Sequence, residues 1–174
     1  MSQPSVSVII PAYNAQSTIA RALQSVADQT FQVTEVIVID DASTDNTIET
    51  VAEYSKNSTI AIRLLPSDRN AGPGSARNRG WDSSNCDYIA FLDADDVWHP
   101  RKIEIQVREM ERNSSFSMSC HERIISVSHS FPKFDDSIAL TRELSLNDFI
   151  VKNRCSTPTV MVRRTVNDRY KNEK

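Results

Sequence analysis

The chain has 174 residues, 39% of them hydrophobic and 25% charged, which is enough for one domain with a proper core. A formal net charge of -3 excludes the global basic field that gathers nucleic acid, and no apolar run is long enough to span a bilayer. The three cysteines, Cys86, Cys120 and Cys155, are far apart with no CxxC, so neither a zinc ribbon nor a disulfide framework is signalled and a reducing compartment is expected.

Val6 to Ile10 reads as a buried strand closed by Pro11. Ile19, Ala22, Leu23 and Val26 follow at helical spacing. Glu35 to Asp40 is a second apolar strand. Asp45-Asn46-Thr47 supplies helix-start chemistry, and Ile48, Val51, Ala52 and Ser55 are expected to form one face of the helix behind it. Ile60, Ile62 and Leu64 alternate as a third strand. Gly72-Pro-Gly74 marks a turn before a short helix through Ala76 and Gly80. Tyr88 to Leu92 is a fourth strand, and Pro100 opens a helix with Ile103, Val107 and Met110 inward. Strand and helix alternate up to residue 112, which predicts βαβ units around a mostly parallel sheet. The order then breaks. Phe116, Met118 and Cys120 alternate as a strand, Arg123 to Ser130 is a candidate strand, Leu144 to Asn153 a short helix, and Thr159 to Val162 a last strand. The final fourteen residues, Met161 to Lys174, carry five basic and two acidic side chains and read as a solvated chain end. No basic segment precedes a long apolar stretch at the N-terminus, so no signal peptide is expected.

Chemistry gathers at the expected strand ends. Tyr88-Ile-Ala-Phe-Leu-Asp-Ala-Asp-Asp96 runs from apolar residues straight into three carboxylates. Like charges crowded at the end of a buried strand cost free energy through repulsion and desolvation, so a cation is expected there. Carboxylate oxygens suit hard ions, Mg2+ or Mn2+, and Asp93 and Asp95 are the candidate ligands. Ligands of open α/β sheets bind beyond the carboxyl ends of the strands. Pro11-Ala-Tyr-Asn14, Asp40-Asp-Ala-Ser43 and Asp93-Ala-Asp-Asp96 should therefore converge on one rim. Gly72 and Gly74 allow close backbone approach to a ligand.

Val6-Ser-Val-Ile-Ile-Pro-Ala-Tyr-Asn14, Val36-Ile-Val-Ile-Asp-Asp-Ala-Ser-Thr-Asp45, Asn70-Ala-Gly-Pro-Gly-Ser-Ala-Arg-Asn78 and Phe91-Leu-Asp-Ala-Asp-Asp96 stand in an order and spacing that resembles the family 2 glycosyltransferases. The resemblance implies a GT-A fold, an α/β Rossmann-like sheet flanked by helices. Residues 1–112 would form the donor-binding subdomain, and 113–174 a partial acceptor-side subdomain. It implies a nucleotide-diphosphate sugar donor, with a UDP-sugar favoured, a divalent Mn2+ or Mg2+, and transfer with inversion to a carbohydrate or lipid-linked acceptor in polysaccharide or glycan biosynthesis. Carried over by residue, Asp95 would hold the metal, with Asp93 beside it near the ribose and Ala94 between them. Asp41, with Asp40 as rival, would accept the N–H of the base. Pro11, Ala12 and Tyr13 would line the nucleotide pocket, and Arg77 would reach the base or the phosphates. The same resemblance places the protein in the cytoplasm, drawn peripherally to the inner face of the membrane when the acceptor is lipid-linked.

Inverting transfer needs a base for the acceptor proton. The resemblance puts it in an acidic pair after the segment matching Thr157 to Arg164, and neither Asp168 nor Glu173 matches. The expectation is a truncated chain that keeps donor binding, with a non-catalytic nucleotide-binding or assembly module as the alternative. Other motifs fail on their own terms. An EF-hand starting at Asp93 would need a ligand and a Gly where Val97 and Trp98 stand. In Gly72-Pro-Gly-Ser-Ala-Arg77 an arginine replaces the last Gly of a dinucleotide fingerprint. A sugar nucleotidyltransferase would need a Gly-rich basic loop after strand one, which Pro11 to Asn14 does not supply. Asp45 reads as a helix cap, Trp81 and Trp98 as packing residues, and His99, His121 and His129 lack metal-ligand spacing.

Overall fold

The computed structural model describes residues 3–121 and 155–170. The expected strand at Arg123–Ser130 and helix at Leu144–Asn153 lie outside them. Among the described residues, six strands form one sheet in the order β3-β2-β1-β4-β6-β5. They are β1 (Val6–Ala12), β2 (Glu35–Asp40), β3 (Ile62–Pro66), β4 (Tyr88–Phe91), β5 (Met118–Ser119) and β6 (Met161–Arg163). The first four are mutually parallel, and β6 runs antiparallel to both β4 and β5. Pro11 does not close β1. The strand continues through it to Ala12, which lies opposite Asp40 of β2.

Side chains alternate across the sheet with period two. Val6, Val8 and Ile10 of β1, Val36 and Val38 of β2, and Tyr88 and Ala90 of β4 face one layer. That layer holds Ile19, Leu23 and Val26 of α1 (Ile19–Ala27), Val51 of α2 (Thr47–Asn57), and Ile103, Val107 and Met110 of α4 (Lys102–Arg112). Ile9, Ile37, Ile39, Ile89 and Phe91 face the other layer, where α3 (Pro73–Asp82) packs through Ala76 and Trp81. Both faces of the central strands are covered, which is why β1, β2 and β4 read as continuous apolar runs. Gly80 sets how close α3 lies. A Cβ added there would stand 2.4 Å from Cγ2 of Ile9.

The chain leaves β1 on the α1–α2 face, moves outward to β3, and returns to β4 over the opposite face through α3. The strand order reverses between β1 and β4, the place where open α/β sheets form their ligand crevice. Among the described residues no helix is long and apolar enough to cross a membrane.

Three further expectations need correction. The inward face of α2 is Thr47 and Val51, with Tyr54 partly buried, while Ala52 is exposed. Thr47 can be buried because its hydroxyl accepts the Ala15 N–H at 2.8 Å. Cys120 and Cys155 are joined as a disulfide, with their Cα atoms 5.9 Å apart, and only Cys86 is free. The antiparallel β5–β6 pair brings together two residues that sequence separation alone keeps far apart. Finally, the basic tail is not a free end as far as Tyr170. Arg169 pairs with Asp82 at 3.0 Å and stacks over Trp81, and Tyr170 meets Phe91 edge-on with ring centroids 5.4 Å apart.

Candidate functional site

The loops after β1 and β2 are stitched together by side chains. Asn14, in the left-handed region at φ 50°, accepts the Thr44 N–H at 2.8 Å, while its own N–H donates to Ser43 Oγ at 2.9 Å. The Gln16 N–H donates to Asp45 at 3.1 Å, and the Asn46 N–H donates back to Gln16 Oε1 at 3.0 Å. Asp45 also accepts the Thr47 N–H at 3.0 Å, so it caps α2 from one residue outside the N-cap position. Partial desolvation pushes its carboxyl up, but the bonds from Thr47 and Gln16 outweigh it and hold the group below its usual range. The cap reading of Asp45 therefore matches what the carboxylate does. Ala42 sits at φ 62°, a strained setting for a residue with a Cβ, between Asp41 and Ser43.

Asp40 and Asp41 end β2 with different partners. Asp40 is 1% exposed. One of its oxygens accepts the Ser43 N–H at 3.1 Å, and the other, buried, has no hydrogen-bond partner. Asp41 is 4% exposed and clamps the loop before α3, accepting Ala71 N–H at 3.0 Å and Gly72 N–H at 2.8 Å. The clamp explains Gly72, whose φ of 84° and ψ of 163° lie in a region that essentially only glycine occupies. Pro73 then starts α3 at the position where a missing N–H costs nothing.

One turn along α3, Arg77 Nη2 donates to Asp93 Oδ1 at 2.5 Å. The guanidinium also lies 5.4 Å from the centre of the Tyr170 ring. A continuous polar line thus runs from Asp41 through the Gly72 loop and Arg77 to Asp93, joining the end of β2 to the end of β4. Asp93 begins a turn closed by the Asp96 N–H donating to its carbonyl at 3.0 Å. Within this turn Ala94 is buried and Asp95 is exposed. Arg21 of α1 donates to the Asp95 backbone carbonyl at 3.0 Å, so this contact does not engage the Asp95 carboxylate.

Among the described residues, no group of three or more His, Cys, Asp or Glu gathers into a ligand set. Mg2+ and Mn2+ do not require one, because they commonly keep several waters and bind one or two carboxylates together with substrate phosphates. An exposed Asp95 beside an arginine-paired Asp93 fits that pattern, with Asp95 the freer carboxylate. Of the remaining candidates, Pro11 and Ala12 are buried and can offer only backbone, and the Ala12 carbonyl already accepts the Asp41 N–H at 2.8 Å. Tyr13 is 51% exposed at the rim. Trp98 is a packing residue, its indole N–H donating to the Pro158 carbonyl at 2.8 Å. Sequence reasoning missed Tyr170, Asn78 and Arg21. The first sits in a polar tail, Asn78 ends a motif in which only Arg77 is given a role, and Arg21 lies on a helix with no motif of its own.

A family model for glycosyl transferase family 2 matches residues 7–171. The chain belongs to glycosyl transferase family 2. It is 34% identical over 161 residues to the UDP-Glc:alpha-D-GlcNAc-diphosphoundecaprenol beta-1,3-glucosyltransferase WfgD of Escherichia coli, a match covering 92% of this chain and 61% of that one. Among solved structures, S. aureus TarS 1-349 superposes with a TM-score of 0.74 at 25% identity, covering 92% of this chain and 47% of that one. TarS has also been crystallised with UDP and with UDP-GlcNAc. The mannosyltransferase PcManGT from Pyrobaculum calidifontis, in complex with GDP-Man and Mn2+, superposes with a TM-score of 0.65 at 26% identity over 70% of this chain and 36% of that one. The family 2 chain described here thus spans about 61% of the length of the WfgD relative.

Proposed function

We propose that this protein binds the donor of a sugar transfer, a nucleoside-diphosphate sugar with uridine favoured, together with Mn2+ or Mg2+. The parent reaction would pass the sugar with inversion to the hydroxyl of a carbohydrate or lipid-linked acceptor. The observation that carries the reading is the convergence of Tyr13, Asp40, Asp41, Arg77, Asp93 and Asp95 at the strand ends beside the β1–β4 reversal. The UDP complexes of TarS and the Mn2+ complex of PcManGT, both similar in fold, support it.

Residues 1–112 carry the donor half in this reading, and 113–174 contribute to the acceptor side. Asp95 would hold the cation, and Asp93 would lie beside the ribose under the hand of Arg77. The base would reach the Asp40–Asp41 end of β2. There the buried, unpartnered oxygen of Asp40 and the lone pairs Asp41 keeps beyond its clamp are the available acceptors. A bound divalent cation would offset the charge that grows on the departing diphosphate. Arg77, paired with Asp93, would add positive charge beside the same group.

Calorimetric titration of UDP with and without Mn2+ tests the proposal. Wild-type protein should bind UDP more tightly with the metal present. Asp95→Ala should weaken the metal-dependent binding by more than about tenfold, as loss of a direct ligand should exceed loss of a supporting one. Binding indifferent to Mn2+, or unchanged in the Asp95 variant, would refute the assignment. Donor turnover by the wild type would separate a transferase from a module that only binds.

A further inference from the structure

We infer that Tyr170, fixed to α3 by Asn78, is a positioning residue of the donor site that holds the Arg77 guanidinium against Asp93. The inference rests on the donor-site reading and assigns that site a member from the far end of the described chain.

Four contacts define the arrangement. The Asn78 side chain bonds the Tyr170 backbone in both directions, its amide donating to the carbonyl at 2.8 Å and its oxygen accepting the N–H at 2.9 Å. One amide side chain thus satisfies both backbone groups of Tyr170, as a neighbouring strand would, and sets the residue in register with α3. Asn78 directly follows Arg77. The Tyr170 ring therefore lies on the guanidinium, 5.4 Å from ring centre to Cζ, where the negative face of the ring attracts the cation. The ring edge also packs at 90° against Phe91, the last residue of β4 and two residues before Asp93. Tyr170 thus backs both partners of the Arg77–Asp93 pair, one through its side chain and the other through its strand.

This placement has a chemical consequence. Arg77 is nearly buried, and its Nε has no hydrogen-bond partner. Among the described residues, Asp93 on one side and the ring on the other orient the fork. Without the ring, the guanidinium can rotate off Asp93, and the carboxylate loses the contact that fixes it at the strand end.

Arg77 Nε–H gives a ligand-free readout, because a buried, immobilised guanidinium shows a slowly exchanging signal in proton–nitrogen NMR spectra. Arg77→Lys identifies that signal by removing it. Tyr170→Leu should broaden or abolish it and weaken Mn2+-dependent UDP binding about tenfold, in line with a desolvated cation–π contact. Tyr170→Phe keeps the ring and should restore both. Val166→Ala, in the same segment and apolar cluster, controls for general loosening and should lower the melting temperature while leaving the Arg77 signal in place. An unchanged Arg77 signal in Tyr170→Leu, or equal loss in Tyr170→Leu and Val166→Ala, would overturn the inference. Failure of wild-type protein to bind UDP would instead defeat the donor-site reading, and the NMR comparison would still decide whether Tyr170 positions Arg77.

Discussion

Replacing Asp41 by Asn tests whether the end of β2 holds α3 in place. The carboxylate receives the Ala71 N–H at 3.0 and 3.2 Å on its two oxygens and the Gly72 N–H at 2.8 Å. Asparagine has nearly the same shape, so no cavity opens. One of its two terminal atoms becomes an NH2, and in either orientation a donor then faces a backbone donor. The variant therefore loses one charge-assisted hydrogen bond at a site that is 4% exposed, which is worth about 1.5–3 kcal/mol. A loss near 2 kcal/mol corresponds to a fall in Tm of about 4–8 °C for a chain of this length. Urea unfolding followed through Trp81 and Trp98 fluorescence measures it, and calorimetry measures UDP affinity in parallel. Both should fall, because the loop that Asp41 clamps begins the helix carrying Arg77. If Asp41 serves only the base, affinity falls while the urea midpoint stays put, and that result would refute the clamp.

Gly80→Ala should destabilise the fold even though alanine is the better helix former. Its Cβ would lie 2.4 Å from Ile9 Cγ2, and the overpacking, about 1–3 kcal/mol, exceeds the roughly 1 kcal/mol gained in propensity. A urea midpoint at or above wild type would contradict the close approach of α3. On the acid side, the Ser5 N–H and hydroxyl bonds hold the Asp87 carboxyl below its usual range, partial desolvation opposing them. A depressed folded-state pKa gives stability that is full above the unfolded value, about 4, and is lost as pH falls through the folded value. Asp87→Asn should therefore flatten the decline of stability below about pH 4. An unchanged slope would mean that Ser5 does not hold the ionised form.

The alternating core of the sheet was readable because burial on both faces leaves unbroken apolar strands, and helices α1 and α4 kept a clean 3.6-residue stripe. The carboxylates at the strand ends stood out in the sequence, but their structural partners did not: Asp41 clamps the Gly72 loop and Asp93 pairs with Arg77. Periodicity failed where a polar group is buried with partners: Thr47 belongs inside because Ala15 and Asp45 satisfy it, a fact no spacing rule encodes. It also failed where distant segments meet. The Cys120–Cys155 bridge and the seat of Tyr170 depend on β6 lying beside both β4 and β5, and on α3 presenting Asn78. The one local hint was a lone aromatic in a basic tail.

The stitching of the first two loops bears on how donor choice could change over time. Asn14, Ser43, Thr44, Asp45 and Gln16 brace one another, so the floor under the rim is set before any ligand arrives, and binding spends little on ordering it. Tyr13 stands outside that bracing, an exposed ring on a rigid mount. Under the donor-site proposal, exchange at this one position would reshape what the rim accepts while the scaffold beneath stays as it is.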